Sequence, residues 1–257
     1  MRRLTASATR SRTSIDFFRI VNLATSSSIA ASEPLLAFDC AGHGCSAALL
    51  AGGEVRAHLA EARSRGHAER LLPLLEEVLA EAALGWEEIQ RFAVTRGPGS
   101  FTGVRIGLAT ARGLALASGR PLFALDSFRL YAAMVRERLE PAAWQGRRLL
   151  VAIDTRRSDF FVQTFNHDGA ADEARAVLPE RLAVEFAKER LLLAGDGGAR
   201  LLAAMEGLDI QLVPGCEMAD SRTLARWATA QPAVAAASSA APLYLRPPQV
   251  SFPKDRR

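Results

Sequence analysis

Two short apolar segments of the sequence end in glycine-rich turns that contain aspartate, a combination that can bind phosphate. Residues 35–38 lead into the first turn and residues 191–194 lead into the second. Glycine turns expose backbone N–H groups, which donate hydrogen bonds to phosphate oxygens, although such turns also serve the fold alone. The turns leave weak binding of ATP or ADP open as an alternative, and no cofactor is predicted to be required. The predicted contacts are Asp39, Gly42, Gly44, Gly195 and Gly197.

Histidine and cysteine are the residues that most often ligate transition metals, and neither is arranged for that purpose. No two histidines stand four residues apart, and the odd number of cysteines includes no C-x-x-C pair. We expect free thiols, histidines at the surface or at helix ends, and no metal site. The residues concerned are His43, His58, His67, His167, Cys40, Cys45 and Cys216.

Other catalytic patterns are absent or have a simpler interpretation. The sequence contains neither a P-loop nor the G-x-S-x-G motif of a serine hydrolase. Asp154, with Arg156 and Arg157, could serve as an acid–base group, but an exposed turn held by a salt bridge is the preferred interpretation.

The block 96–111 is rich in glycine at a predicted strand-to-helix corner. Within it, Gly103, Gly107 and Ala111 recur every four residues, which leaves a flat groove along one side of the helix. We predict that helices 67–83 and 102–118 pack together and bind a second subunit, and the alternative is that both only cover their own sheet. The predicted interface residues are His67, Arg70, Leu71, Leu74, Gly103, Val104, Gly107, Leu108 and Ala111. Leu74 is interpreted as lying off the core stripe.

The elements that position these residues follow from the hydrophobic periodicity. Residues 34–127 predict the order β-β-β-α-β-α-β, and the same order begins again at Leu149. An internal duplication in a two-lobed α/β protein is the economical interpretation. The predicted domains are an N-terminal extension (1–33), an N-terminal lobe (34–127) and a C-terminal lobe with an extended tail (128–257).

The charge distribution limits the possible partners. Residues 1–32 contain five arginines and one aspartate, whereas from Glu33 onward 27 basic residues balance 27 acidic ones. The folded part therefore has no overall affinity for a polyanion. Segment 1–32 is predicted to be disordered, with the composition of a transit peptide or of a start codon placed too early. No apolar run is long enough for a membrane span, which predicts a cytoplasmic protein.

Four blocks of the sequence resemble the TsaB family, also called YeaZ. They are residues 67–74, 96–111, 154–157 and 244–246, in the order expected for that family. The resemblance covers about residues 35–250 and implies the two-lobed actin-like ATPase fold (the ASKHA, ribonuclease H-like class). In the catalytic relatives a histidine pair binds a metal where this chain has Ser127 and Tyr131.

The resemblance implies a role without chemistry of its own. Members of the family are non-catalytic subunits required for N6-threonylcarbamoyladenosine in tRNA, and they pair with the catalytic subunit TsaD or, without it, with a second copy. The implied role is to bind and activate TsaD and to support docking of TsaE, with tRNA contacted indirectly. The alternatives are an independent ATP-dependent kinase of the same fold, a peptidase, and a resuscitation or stress-linked interaction protein. His43 disfavours the kinase, because ATP-using relatives have small residues in that turn.

Overall fold

The first half of the chain forms a five-stranded mixed sheet. The computed structural model describes residues 33–232 and 240–246, so most of the predicted extension 1–33 and residues 247–257 of the predicted tail lie outside it. The strands are β1 (Leu35–Asp39), β2 (Gly44–Ala51), β3 (Glu54–Ala62), β4 (Arg91–Thr95) and β5 (Leu122–Leu125), in the order β3-β2-β1-β4-β5. The first three strands are antiparallel, whereas β4 and β5 run parallel to β1.

The second half repeats this arrangement. Its strands are β6 (Arg148–Asp154), β7 (Phe160–Phe165), β8 (Arg175–Val177), β9 (Leu191–Ala194) and β10 (Ile210–Leu212), in the order β10-β9-β6-β7-β8. The middle strand of the second sheet, β6, pairs antiparallel with β7 and parallel with β9. The middle strand of the first sheet, β1, pairs in the same way with β2 and β4. The predicted internal duplication is therefore confirmed.

Helices cover the outer face of each sheet. The first sheet carries α1 (His67–Glu81) and α2 (Phe101–Ser118). The second carries two shorter helices, α4 (Pro179–Glu185) and α5 (Gly198–Ala204). Single 3-10 turns lie at Trp86–Glu88 and Pro141–Trp144. None of the helices in the described part of the chain is long and apolar enough to cross a membrane.

Two further helices lie between the sheets and cross from one half to the other. The helix α3 (Ser127–Arg138), which follows the first sheet, packs on β6, β7 and β9, while α6 (Ser221–Thr229) packs on β1, β2 and β4. Both begin at an aspartate whose side chain accepts a hydrogen bond from the first turn, Asp126 and Asp220. This exchange buries one continuous apolar core between the lobes. The predicted boundary at residue 127 stays a prediction.

Candidate interlobe site and helical face

The glycine turns of the two halves meet in the cleft between the lobes. The turn after β1 contacts the loop after β9 so closely that a Cβ on Gly42 would lie 2.9 Å from Oδ2 of Asp196. Beside it, Nε2 of His43 lies 3.4 Å from Oδ2 of Asp154 at the end of β6. The two lobes are therefore in direct contact at the place where the phosphate contacts are predicted.

Buried carboxylates surround this contact. Asp39 is 2% exposed, and its Oδ1 accepts hydrogen bonds from the Thr95 hydroxyl and the Ala41 N–H group. Burial raises the pKa of Asp39. Burial also raises the pKa of Asp196 to about 7, although its Oδ1 accepts the N–H group of Asp154 at 2.8 Å. Negative charge is therefore disfavoured here, and a phosphate would add more of it.

The other predicted phosphate-binding glycines fit tightly against the chain's own backbone. A Cβ would lie 2.3 Å from the Glu61 carbonyl oxygen at Gly44, and 2.1 Å from the Ala152 carbonyl oxygen at Gly195. A Cβ on Gly197 would lie 2.9 Å from the backbone nitrogen of Asp154. Packing within the fold is thus a sufficient reason for glycine at these positions. Nucleotide binding stays a prediction.

Ser127 and Tyr131, which the sequence resemblance aligns with the histidine pair of the catalytic relatives, are both buried. Tyr131 is held in the core between the lobes, where its hydroxyl would lie 3.8 Å from a Cβ on Gly42. Burial raises the pKa of Tyr131, so the hydroxyl stays protonated. Ser127 begins α3, and its N–H group donates to the Gly97 carbonyl at 2.7 Å.

Potential metal ligands are dispersed over the described residues. These bring together no group of three or more His, Cys, Asp or Glu side chains that could hold a metal ion. His43 and His58 pair with single aspartates, and His67 is buried at the start of α1. The cysteines Cys40, Cys45 and Cys216 are buried and free, which confirms the prediction of free thiols.

Ionic contacts hold the turn at Asp154, in agreement with the interpretation of this segment as a turn held by a salt bridge. Arg200 of α5 pairs with Asp154 at 2.7 Å, and the N–H group of Arg156 donates to Asp154 Oδ1 at 2.7 Å. Arg156 itself has φ of 57°, in the left-handed region that side chains rarely adopt. The partner of Asp154 is thus Arg200 from a neighbouring helix, together with His43.

Most of the predicted interface residues lie in the chain's own core. Leu71, Leu74, Val104, Leu108 and Ala111 are at most 2% exposed and belong to the cluster between the helices and the first sheet. The interpretation of Leu74 as lying off the core stripe is wrong, because the stripe is wide enough to include it. These five side chains hold the two helices against the first sheet.

The glycine groove of α2 is likewise filled from within. A Cβ on Gly103 would lie 2.0 Å from the carbonyl oxygen of Cys40, and a Cβ on Gly107 would lie 3.2 Å from its Sγ. Cys40, the residue that follows β1, therefore occupies the groove predicted for a second subunit. Of the remaining predicted interface residues, His67 is buried, and Arg70 donates to Glu61 and Glu77 of its own lobe.

The outward side of the same helices exposes large apolar side chains that the periodicity did not single out. Leu116 of α2 is 86% exposed, Leu72 of α1 is 47% exposed, and Phe101 at the start of α2 is 41% exposed. Near them, a Cβ on Gly113 would meet nothing within 4 Å. Exposed leucines on two helices that pack side by side mark a surface suited to another protein. A helical wheel of α2 alone would have placed Leu116 opposite the buried stripe.

The segment 240–246, here named the C-terminal strap, lies along one edge of this face. Arg112 donates to the Ala240 carbonyl at 2.7 Å, and Arg105 donates to the Tyr244 hydroxyl at 3.1 Å. The Arg105 guanidinium also stacks 3.7 Å above the Phe101 ring. Both arginines of α2 are thereby held in place. The strap, the start of α2 and the turn after β6 enclose a groove of about 400 Å³.

Comparison with known proteins gives consistent relatives. Residues 59–209 match the family model described as TsaD, tRNA N6-adenosine threonylcarbamoyltransferase. The tRNA threonylcarbamoyladenosine biosynthesis protein TsaB of Escherichia coli is 31% identical over 82% of this chain and 94% of its own length. The protein of the same description from Haemophilus influenzae is 38% identical over 49% of this chain, and the alignment spans about half (51%) of that protein.

The fold also has solved counterparts. YeaZ from Pseudomonas aeruginosa superposes with a TM-score of 0.66 at 27% identity, over 82% of this chain and 99% of that one. The chain thus shares its fold with the YeaZ structures, and the two-lobed actin-like ATPase fold that the sequence resemblance implied is confirmed.

Proposed function

The chain belongs to the TsaB family, and on that basis we propose that it is a non-catalytic subunit needed to make N6-threonylcarbamoyladenosine in tRNA, acting in the cytoplasm. Its contribution is contact with a catalytic partner of the TsaD type, to which its own sequence is related over residues 59–209. We also propose that the chain supports docking of TsaE and that it contacts tRNA only indirectly, through its partners.

The observation that carries this proposal is the exposure of Leu116 on α2. Leu116 is 86% exposed on a helix whose inner side is covered, so its side chain is open to contact with another protein. Leu72 on the adjacent α1 and Phe101 at the start of α2 extend the apolar surface. We define the partner face as the exposed sides of α1 and α2 that carry these three residues.

The shape and charge of the partner face support a helical partner. Gly113 lies in the interior of α2 with open space before it, so a second backbone can approach there at a distance that a side chain would prevent. Arg105 and Arg112 are two turns apart on α2, while Glu69 and Glu76 are exposed two turns apart on α1. A partner with the opposite distribution of charge would be steered into register.

The test is a pair of matched surface substitutions. Leu116→Glu is expected to weaken binding to the TsaD subunit from the same genome by about 30-fold or more, because it buries a carboxylate in an apolar contact. Val184→Glu is the control, since Val184 is 80% exposed but lies on α4 of the other lobe. Isothermal titration calorimetry with purified proteins measures both affinities, and circular dichroism verifies that each variant is folded.

Equal binding by both variants and the wild type would contradict the partner face. In cells, depletion of the chain should lower threonylcarbamoyladenosine in tRNA, as measured by nucleoside mass spectrometry, and Val184→Glu should restore it while Leu116→Glu should not. Normal modification in depleted cells would contradict the proposed function, and turnover of ATP or a peptide by the purified chain would favour the kinase or the peptidase.

Substitutions at the buried predicted residues cannot make this test. Leu74→Glu would place a carboxylate in the core, and Gly107→Arg would drive a side chain into Cys40. Both are expected to lower stability first, so a loss of binding would not report on the interface.

A further inference from the structure

The C-terminal strap contacts both lobes within seven residues. At its first end it lies on the N-terminal lobe, where the Leu243 N–H group donates to the Arg96 carbonyl at 2.8 Å and Tyr244 packs on the Phe101 ring with centroids 5.4 Å apart. At its other end, Arg246 pairs with Asp159 in the turn between β6 and β7. Leu245, between them, packs against the core that separates the two sheets.

The anchor in the second lobe is well built. Asp159 is buried, and its Oδ1 accepts the Thr155 hydroxyl at 2.8 Å while its Oδ2 faces Arg246. The Arg246 guanidinium also lies 5.3 Å from the centre of the Phe161 ring on β7. An ion pair that is shielded on one side by a ring is stronger than one on an open surface. The strap is therefore attached to the turn 155–159 through Arg246.

The anchor in the first lobe coincides with the partner face. Tyr244 contacts Phe101 and Arg105, and the Ala240 carbonyl accepts from Arg112. A protein bound over Leu116 and Phe101 would also cover these arginines. It would restrict the strap at one end, and the other end of the strap is bonded to the second lobe.

We infer that the strap is a clasp that couples occupancy of the partner face to the turn 155–159 of the second lobe. The inference rests on the proposed function, since it needs a partner on α2. Binding there holds Tyr244 in place, which in turn holds Arg246 against Asp159. The turn then opens less often, together with the wall of the groove that contains Thr155 and Arg156.

Hydrogen exchange with and without the TsaD subunit tests the clasp. In the wild type, we expect the subunit to slow amide exchange in residues 155–159 by about fivefold, the size of one partly buried ion pair. Arg246→Ala is expected to abolish this protection while still binding the subunit. Tyr244→Ala, at the opposite end of the strap, is also expected to abolish the protection, and it is measured at saturating concentrations of the subunit because Tyr244 borders the partner face. Arg181→Ala, an exposed arginine on α4, is the control and should behave as the wild type.

The outcomes separate the two proposals. Absence of binding by the wild type would overturn the proposed function and the clasp together. If the wild type binds but exchange in 155–159 does not change, or if Arg246→Ala shows the same protection as the wild type, the clasp is wrong and the proposed function stands. Protection that persists in Arg246→Ala would mean that the partner contacts the turn 155–159 directly.

Discussion

Gly103→Ala is expected to destabilise the chain by more than about 3 kcal/mol, whereas Gly113→Ala is expected to stabilise it by about 0.5–1 kcal/mol. The two glycines lie on the same helix, but an added Cβ would lie 2.0 Å from the Cys40 carbonyl oxygen at Gly103 and would meet nothing within 4 Å at Gly113. At Gly103 either the helix or the end of β1 must move. At Gly113 alanine only removes the conformational freedom that glycine has in the unfolded chain.

Urea unfolding of the two variants, followed by circular dichroism, measures both effects. Equal stability of the two proteins would show that the end of β1 adapts to a side chain on α2 and is not rigid. Gly113→Ala is informative in a second way, because the proposed partner backbone approaches at this point. We expect the variant to be more stable alone and yet to bind the TsaD subunit more weakly, and tighter binding would contradict a close approach at Gly113.

Asp196→Asn is expected to remove a pH dependence of stability that the cleft imposes. Burial, together with the charges of Asp154 and Asp39, raises the pKa of Asp196 from 3.8 to about 7. The folded state therefore keeps a proton that the unfolded state loses near pH 4. The stability that this group contributes falls as the pH rises from about 4 to 7. Above pH 7 the folded state bears the full cost of a buried, ionised Asp196. Asparagine has no charge to bury and keeps the oxygen that accepts the Asp154 N–H group.

At pH 8 the variant should be more stable than the wild type by on the order of 2–4 kcal/mol, and at pH 4 the two should be nearly equal. The measurement is urea unfolding across pH 4 to 9, with the difference between variant and wild type plotted against pH. Asp209→Asn is the control, because Asp209 pairs with Arg147 and Arg190 and has a lowered pKa. The prediction would be contradicted if the free energies of unfolding of the wild type and of Asp196→Asn differed by the same amount at every pH.

The order of the elements within each lobe follows from the sequence because it depends on local periodicity, whereas the two interlobe helices α3 and α6 were not predicted. Alternation at 35–60, the helical spacing from His67 and the repeated pattern at Leu149 lie within short windows, and each window reports its own structure. The TsaB resemblance, and the actin-like fold that it implies, could also be found from the sequence, because each family block is a short contiguous segment of the chain.

The candidate site was harder to predict because helical spacing shows which residues share a face but not what covers that face. Gly103 and Gly107 were assigned to a partner, yet Cys40, more than sixty residues earlier, occupies their groove. Leu74 was assigned to the surface, although the stripe of α1 that faces the sheet is wide enough to bury it. A helical wheel places Leu116 opposite the buried stripe, but only the structure shows that the described part of the chain leaves it 86% exposed.

The residues themselves determine the strands, the helices, the duplication and the glycines at the tight corners, because those features arise from backbone preferences and from the alternation of apolar side chains. Tertiary structure alone decides that α3 and α6 change lobes, that Asp196 faces Gly42, and that Tyr244 reaches Arg105 across 139 positions. Such contacts depend on how the two sheets are placed in space, and no short stretch of chain contains that information.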